Sequence, residues 1–160
     1  MVMTRSDNMR RIRSKDTAPE IRVRQALRLI GHTGYRLHRR DVPGTPDIAF
    51  IGQQVAIMVN GCFWHGHDCS VGRRRPKTNL HYWAPKIART QQRDREAITA
   101  LRSTGWSVLV IWECESKDAS TLEQRLKTFL KSCSSRLGPE GTKTLAVDDT
   151  PPRATKEIDG

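Results

Sequence analysis

Residues 43–69 read Pro43-Gly-Thr-Pro-Asp47-Ile-Ala-Phe-Ile51-Gly-Gln-Gln54-Val-Ala-Ile-Met-Val59-Asn-Gly-Cys62-Phe-Trp-His65-Gly-His67-Asp-Cys69, and the fold turns on them. Pro-Gly-Thr-Pro-Asp is a turn by composition. Two apolar runs follow, Ile48–Ile51 and Val55–Val59, separated by Gly52–Gln54, which is the pattern of a β-hairpin. A three-residue loop pairs Ile51 with Val55 and sets Asp47 opposite Val59. Asp47 thus opens a strand, where aspartate is depleted, and stands beside the start of the cysteine-rich segment. It is a candidate functional carboxylate; the plainer alternative is a turn aspartate that accepts from nearby amides.

Upstream, Thr17-Ala-Pro-Glu20 reads as a capping box with proline in the first helical turn. Val23, Leu27 and Ile30 then share one helical face, and Gly31 is the expected stop. Tyr35–Arg39 alternates like a strand. Downstream, residues 70–78 form a basic loop. A long helix is expected over Asn79–Ser103, with Pro85 marking its first turn or an interruption, and Gly105 as its end. Val108–Trp112 reads as a strand running into Glu113-Cys114. Ala119–Ser132 reads as a last helix with Leu122, Leu126, Phe129 and Leu130 on its apolar stripe. Helices alternating with a small mixed sheet give an α/β domain. The expected organisation is a basic arm over 1–16, one domain over 17–133 and a disordered tail over 134–160.

The charge is lopsided. Lys+Arg 28 against Asp+Glu 17 gives a net +11 in 160 residues. Residues 1–40 hold 11 basic and 3 acidic side chains, a net of +8. Such an excess at one end is the footprint of a polyanion partner, here nucleic acid. No apolar run reaches the roughly 18 residues of a membrane span, and the N-terminus lacks the apolar stretch of a signal peptide. A cytoplasmic or nucleoid-associated protein is expected.

Cys62-x6-Cys69, with His65 and His67 between the cysteines, has the donor set of a zinc site, and Cys114 at a strand end is a candidate distant ligand. Four ligands can be chosen, which leaves one histidine over; spacing alone does not say which. Cys133, near the apolar stripe of the last helix, reads as core. One structural zinc is expected.

Asp94 interrupts an apolar stripe. At 100° per residue, Trp83, Ile87, Asp94, Ile98 and Leu101 fall within about 40° of one line. A carboxylate placed there needs a partner, because burying it unpaired costs several kcal/mol. His65, released from metal duty, suits the role; Arg89 or Arg93 are the alternatives. Glu20 completes the capping box and is also a candidate for ordering water. Phe63-Trp64, inside a metal-pinned turn, and Met9 and Ile12, in the basic arm, are candidate wedges between base pairs; for the aromatic pair, core packing is the competing reading.

NMRRI, DTAPE, PGTPD, NGCFWHGHDC, the QRDRE stretch and GWSVLVIWEC stand in the order and approximate spacing of the very-short-patch mismatch repair (Vsr) endonucleases. From about Arg5 to Cys114, some two thirds of the chain resembles that family. The resemblance implies a restriction-endonuclease-like single domain, with a central mixed sheet flanked by helices and one structural zinc. It implies a Mg²⁺-dependent nick 5′ to the mispaired thymine of a T:G mismatch in double-stranded DNA, by a monomer with other mismatch-repair proteins as possible partners. It assigns zinc to Cys62, His67, Cys69 and Cys114, and frees His65 for catalysis with Asp94 behind it. Asp47 and the backbone carbonyl of Val59 would hold Mg²⁺, with Glu20 ordering water. Met9, Ile12, Phe63 and Trp64 match intercalating residues. One departure stands out: Asn60 occupies a position where the best-known pattern has histidine. Competing readings are a non-catalytic zinc-stapled DNA-binding module and a related restriction-type nuclease cutting fully paired DNA.

Overall fold

The computed structural model describes residues 14–74 and 78–136. Helix α1 (Ala18–Leu29) precedes the short strand β1 (Arg36–Leu37), then β2 (Ile48–Phe50), β3 (Val55–Asn60), the long helix α2 (Leu80–Ser103), β4 (Ser107–Trp112), a 3₁₀ turn (Glu115–Lys117) and α3 (Ala119–Arg136). The sheet order is β1-β2-β3-β4. The first three strands run antiparallel, and β4 joins β3 in parallel after the α2 crossover. The result is the expected mixed sheet flanked by helices, a restriction-endonuclease-like α/β arrangement.

The two faces of the sheet are covered by different helices. Ile48, Phe50, Val55, Ile57, Leu109 and Ile111 pack with Val23, Ala26 and Leu27 of α1 and with Leu122, Leu126, Leu130 and Cys133 of α3. On the opposite face, Ala56 and Met58 pack with Val42 and with Leu101 of α2, flanked by Ala97 and Trp106. Cys133 is core, as read from its position on the apolar stripe. Helices α1 and α2 stop alike: Gly31 donates to Arg28 and His32 to Leu27, while Gly105 donates to Arg102 and Trp106 to Leu101, each pair being a Schellman motif.

The structure corrects several expectations. The hairpin pairs Phe50 with Val55 and Ile48 with Ile57, one step away from the Ile51–Val55 pairing. The reason lies in the core. A one-residue slip flips side chains to the opposite face, and the expected register would have set Ile48 and Phe50 against Met58 and Ala56 instead of Ile57 and Val55. Ile51 therefore leaves the strand, and the turn spans 51–54 with Gln54 left-handed at φ 52°. The capping box is also shifted: the Thr17 hydroxyl donates to Glu20 Oε1 (3.0 Å), and Glu20 Oε2 accepts the N–H of Asp16 (3.0 Å) rather than that of Thr17. Helix α2 starts at Leu80 and runs through Pro85. Strand β1 keeps only the centre of Tyr35–Arg39. Helix α3 spans Ala119–Arg136 and so continues past the helix end expected at Ser132. The arm with Met9 and Ile12, and the tail beyond 136, lie outside the described residues.

Candidate active site

The parallel pair β3–β4 ends on the rung Asn60–Trp112. Two residues beyond each strand stand Cys62 and Cys114, so both thiols arrive at the same height. The loop after β3 folds back on itself: His65 N–H donates to Gly61 O (3.1 Å) and His67 N–H to Cys62 O (2.9 Å). This brings His67 and Cys69 to the same place, and the ligand atoms of Cys62, His67, Cys69 and Cys114 all lie within 4.8 Å of one another. A tetrahedral ion with thiolates at about 2.3 Å needs sulfur separations of about 3.8 Å, which this cluster can supply. Backbone donors serve the sulfurs: Cys114 N–H to Cys62 Sγ (3.4 Å) and Gly72 N–H to Cys69 Sγ (3.3 Å). The Gly72 N–H holds the Cys69 thiol down to about 6, whereas burial pushes Cys62 up. A divalent cation is what allows such unequal thiols to ionise together. The His67 ring stacks on Trp112 at 4.2 Å and 13°, which fixes its orientation.

The same loop faces α2. Gly66 has φ +63°, and a Cβ there would lie 2.5 Å from Gln91 Nε2 and 2.9 Å from Ile87, so both the backbone conformation and the close approach of loop and helix favour glycine. That approach delivers His65 to Asp94, with Nδ1 2.6 Å from Oδ2. The polar interruption of the α2 stripe thus has its partner, and it is the histidine that the thiol cluster leaves free. A carboxylate on Nδ1 sets the tautomer and directs Nε2 outward.

Across the cleft, Asp47 stands just before β2. Its Oδ2 accepts Val59 N–H at 2.7 Å; the shifted register leaves the backbone of Asp47 opposite Met58, and the side chain reaches the next amide instead. Burial pushes Asp47 from the ordinary 3.8 up to about 6, against the Val59 N–H, while Glu20 adds to the rise and His38 and His65 oppose it. Glu20, Asp47, Val59, Asn60, His65 and Asp94 line one cleft of about 630 Å³ with Trp64, Lys86 and Glu113. Asn60 is buried there at the last rung of β3.

Phe63 and Trp64 belong to neither core cluster. They are half-buried and form an aromatic group with Trp83 of α2, with centroids 5.1 Å apart for Phe63–Trp64 and 5.6 Å for each of them to Trp83. Lys86 Nζ lies 5.3–5.5 Å from the rings of Tyr82, Trp64 and Trp83. Trp83 reads in sequence as one more apolar position of the stripe, and so its place in this group went unassigned. His38 was also missed. It sits between two carboxylates, 3.5 Å from Glu20 and 3.9 Å from Asp47. The ligand atoms of Asp16, Glu20 and His38 cluster as well, and the Arg24 guanidinium pairs with both carboxylates, at 2.6 Å from Asp16 and 3.3 Å from Glu20. No helix among the described residues is long and apolar enough to cross a membrane.

Comparison with known proteins identifies the family. Residues 2–71 match the family described as DNA mismatch endonuclease Vsr. The chain is 35 % identical over 150 residues to the DNA mismatch endonuclease Vsr of Escherichia coli, covering 89 % of this chain and 95 % of that one. It is 48 % identical over 122 residues to the type II nicking enzyme V.XorIIP of Xanthomonas oryzae, covering 76 % and 88 %. With the type II nicking enzyme V.NmeAIP of Neisseria meningitidis the identity is 37 % over 127 residues, covering 79 % and 89 %. On the strength of the match to the Escherichia coli protein, which spans nearly the full length of both chains, the chain belongs to the Vsr family of DNA mismatch endonucleases.

Proposed function

We propose that this protein nicks one strand of double-stranded DNA, hydrolysing the phosphodiester 5′ to the mispaired thymine of a T:G mismatch. The observation that carries the reading is the convergence, in one cleft, of a buried strand-end carboxylate, Asp47, and an imidazole held by a second carboxylate, His65–Asp94. Phosphodiester hydrolysis needs charge stabilisation at phosphorus, a group to take a proton from water and a group to position that water. Asp47 and the Val59 carbonyl are the assigned Mg²⁺ ligands. N–H and C=O of one extended residue point to the same side of a strand, and Val59 N–H points at Asp47, which supports the pairing. When bound, the ion supplies positive charge to the phosphate and favours the ionised form of Asp47.

His65 then acts as general acid/base through Nε2, with Asp94 stabilising the protonated ring. Glu20 orders water. Zinc on Cys62, His67, Cys69 and Cys114 holds the loop that presents His65 and the aromatic pair. Phe63 and Trp64, with Met9 and Ile12 from the arm, enter the duplex at the mismatch. The basic residues of the first 40 contact phosphates, so affinity falls steeply with salt.

The test is a gel assay with end-labelled T:G duplex in Mg²⁺. Wild type yields a single nick 5′ to the thymine, and Asp47→Ala lowers the rate at least about 10³-fold with duplex binding retained. Binding without a nick by either protein returns the reading to a DNA-binding module. Double-strand cuts on fully paired DNA return it to a restriction-type nuclease.

A further inference from the structure

Glu20 is largely occupied by its own neighbours. Oε1 accepts the Thr17 hydroxyl (3.0 Å), and Oε2 accepts Asp16 N–H (3.0 Å) and the Arg24 guanidinium (3.3 Å). His38 stands beside the doubly engaged oxygen, with Nε2 3.5 Å from Oε2. That nitrogen is buried and makes no hydrogen bond. The opposite ring nitrogen, Nδ1, lies 3.9 Å from Asp47 Oδ1, while Asp47 Oδ2 is committed to Val59 N–H. His38 is held in this pose by its backbone: φ is +47°, and its N–H donates to Asp47 O at 3.3 Å. A non-glycine residue in the left-handed region is strained, and such strain gathers at functional sites.

The chemistry of the two contacts differs. In the neutral ring, a hydrogen on Nε2 turned to Glu20 leaves a lone pair on Nδ1. A lone pair and a carboxylate oxygen 3.9 Å apart cannot bond one another, yet both can accept from the same water molecule. We infer that His38 is a positioning residue of the nicking reaction: an imidazole set beside Glu20 by its backbone that receives, together with Asp47, the two hydrogens of one water. The inference rests on the assignment of Asp47 proposed above. It gives Glu20 its water-ordering role through a ring rather than directly. It also makes Asp47 the centre of two carboxylate–imidazole pairs, Glu20–His38 on one side and Asp94–His65 on the other.

The experiment compares wild type, Asp47→Ala, His38→Ala and His38→Gln on the T:G duplex, with zinc content and melting temperature recorded for each. His38→Ala should lower kcat about 100-fold with KM changed less than about twofold. His38→Gln should recover to within about fivefold of wild type, because its amide can donate to Glu20 and accept at the other end. A long-range ¹H–¹⁵N spectrum of the wild type should show the His38 hydrogen on Nε2. Nicking by His38→Ala within about twofold of wild type, no recovery in His38→Gln, or a ring carrying its hydrogen on Nδ1 alone overturns the inference. If His38→Ala loses zinc or melts early, His38→Leu, which keeps bulk without nitrogens, is read by the same criteria. An active Asp47→Ala sinks the assignment of the site, and His38 with it; an inactive Asp47→Ala beside an active His38→Ala sinks the role of His38 alone.

Discussion

The thiol corner and the carboxylate cleft share one loop, but they are put together differently. Cys62, His67 and Cys69 come from eight consecutive residues, and Cys114 joins them because β3 and β4 end on the same rung. Glu20, Asp47, His65 and Asp94 come from α1, the segment before β2, the loop and α2, with His38 beside Glu20 and Asp47. The corner gathers donors that an ion can neutralise. In the cleft, Asp47 is left with too little compensation, and burial keeps its proton on up to about pH 6. The contrast teaches that the corner groups donors an ion could neutralise together, whereas the cleft keeps a buried carboxylate poorly compensated.

Four substitutions break or sharpen this contrast. The largest effect belongs to the corner. Cys69→Ala should release zinc and abolish cooperative unfolding, a loss on the order of 5 kcal/mol or more, read by metal analysis and circular dichroism. His65→Ala, inside the same loop, should keep zinc and fold while nicking about 10³-fold more slowly. Loss of zinc in that variant would mean that the roles of His65 and His67 are exchanged. Asp94→Asn leaves the imidazole in place without a carboxylate behind it, and should lower kcat about 30-fold with little change in duplex affinity.

The smallest effect is a gain. Because the folded pKa of Asp47 is raised, its contribution to stability is present below the ordinary 3.8 and is lost as pH rises through about 6. Asp47→Asn, which can still accept from Val59 N–H, escapes that loss. In magnesium-free buffer at pH 7.5 it should be more stable than wild type by about 1–2 kcal/mol, with the difference closing by about pH 4 in urea titrations. An equal or less stable variant at pH 7.5 would show that Asp47 is not under strain.

Much of this was legible in sequence, for reasons that differ between the two regions. The corner is legible because its donors are rare residue types at short spacing. The His65–Asp94 pair is legible because a carboxylate in an apolar stripe demands a partner. The hairpin register was not, since it depends on which face of the sheet each helix covers, and Ile51 looks as apolar as Phe50 until α1 and α3 are in place. His38 was hidden for a backbone reason: nothing in Tyr35–Arg39 announces a left-handed histidine at the end of β1. Trp83 was hidden by its own hydrophobicity, because an exposed-edge aromatic and a core aromatic read alike.

The matched ends of β3 and β4 also bear on how the molecule is assembled. Cys62 and Cys114 lie on opposite sides of the whole α2 crossover, and they are level with one another only after the parallel ladder has zipped to its last rung. An ion held by all four residues would therefore report a completed fold: chains stalled before the strands register would present an incomplete chelate, and the release of a coloured zinc indicator during refolding would mark the closing of the crossover.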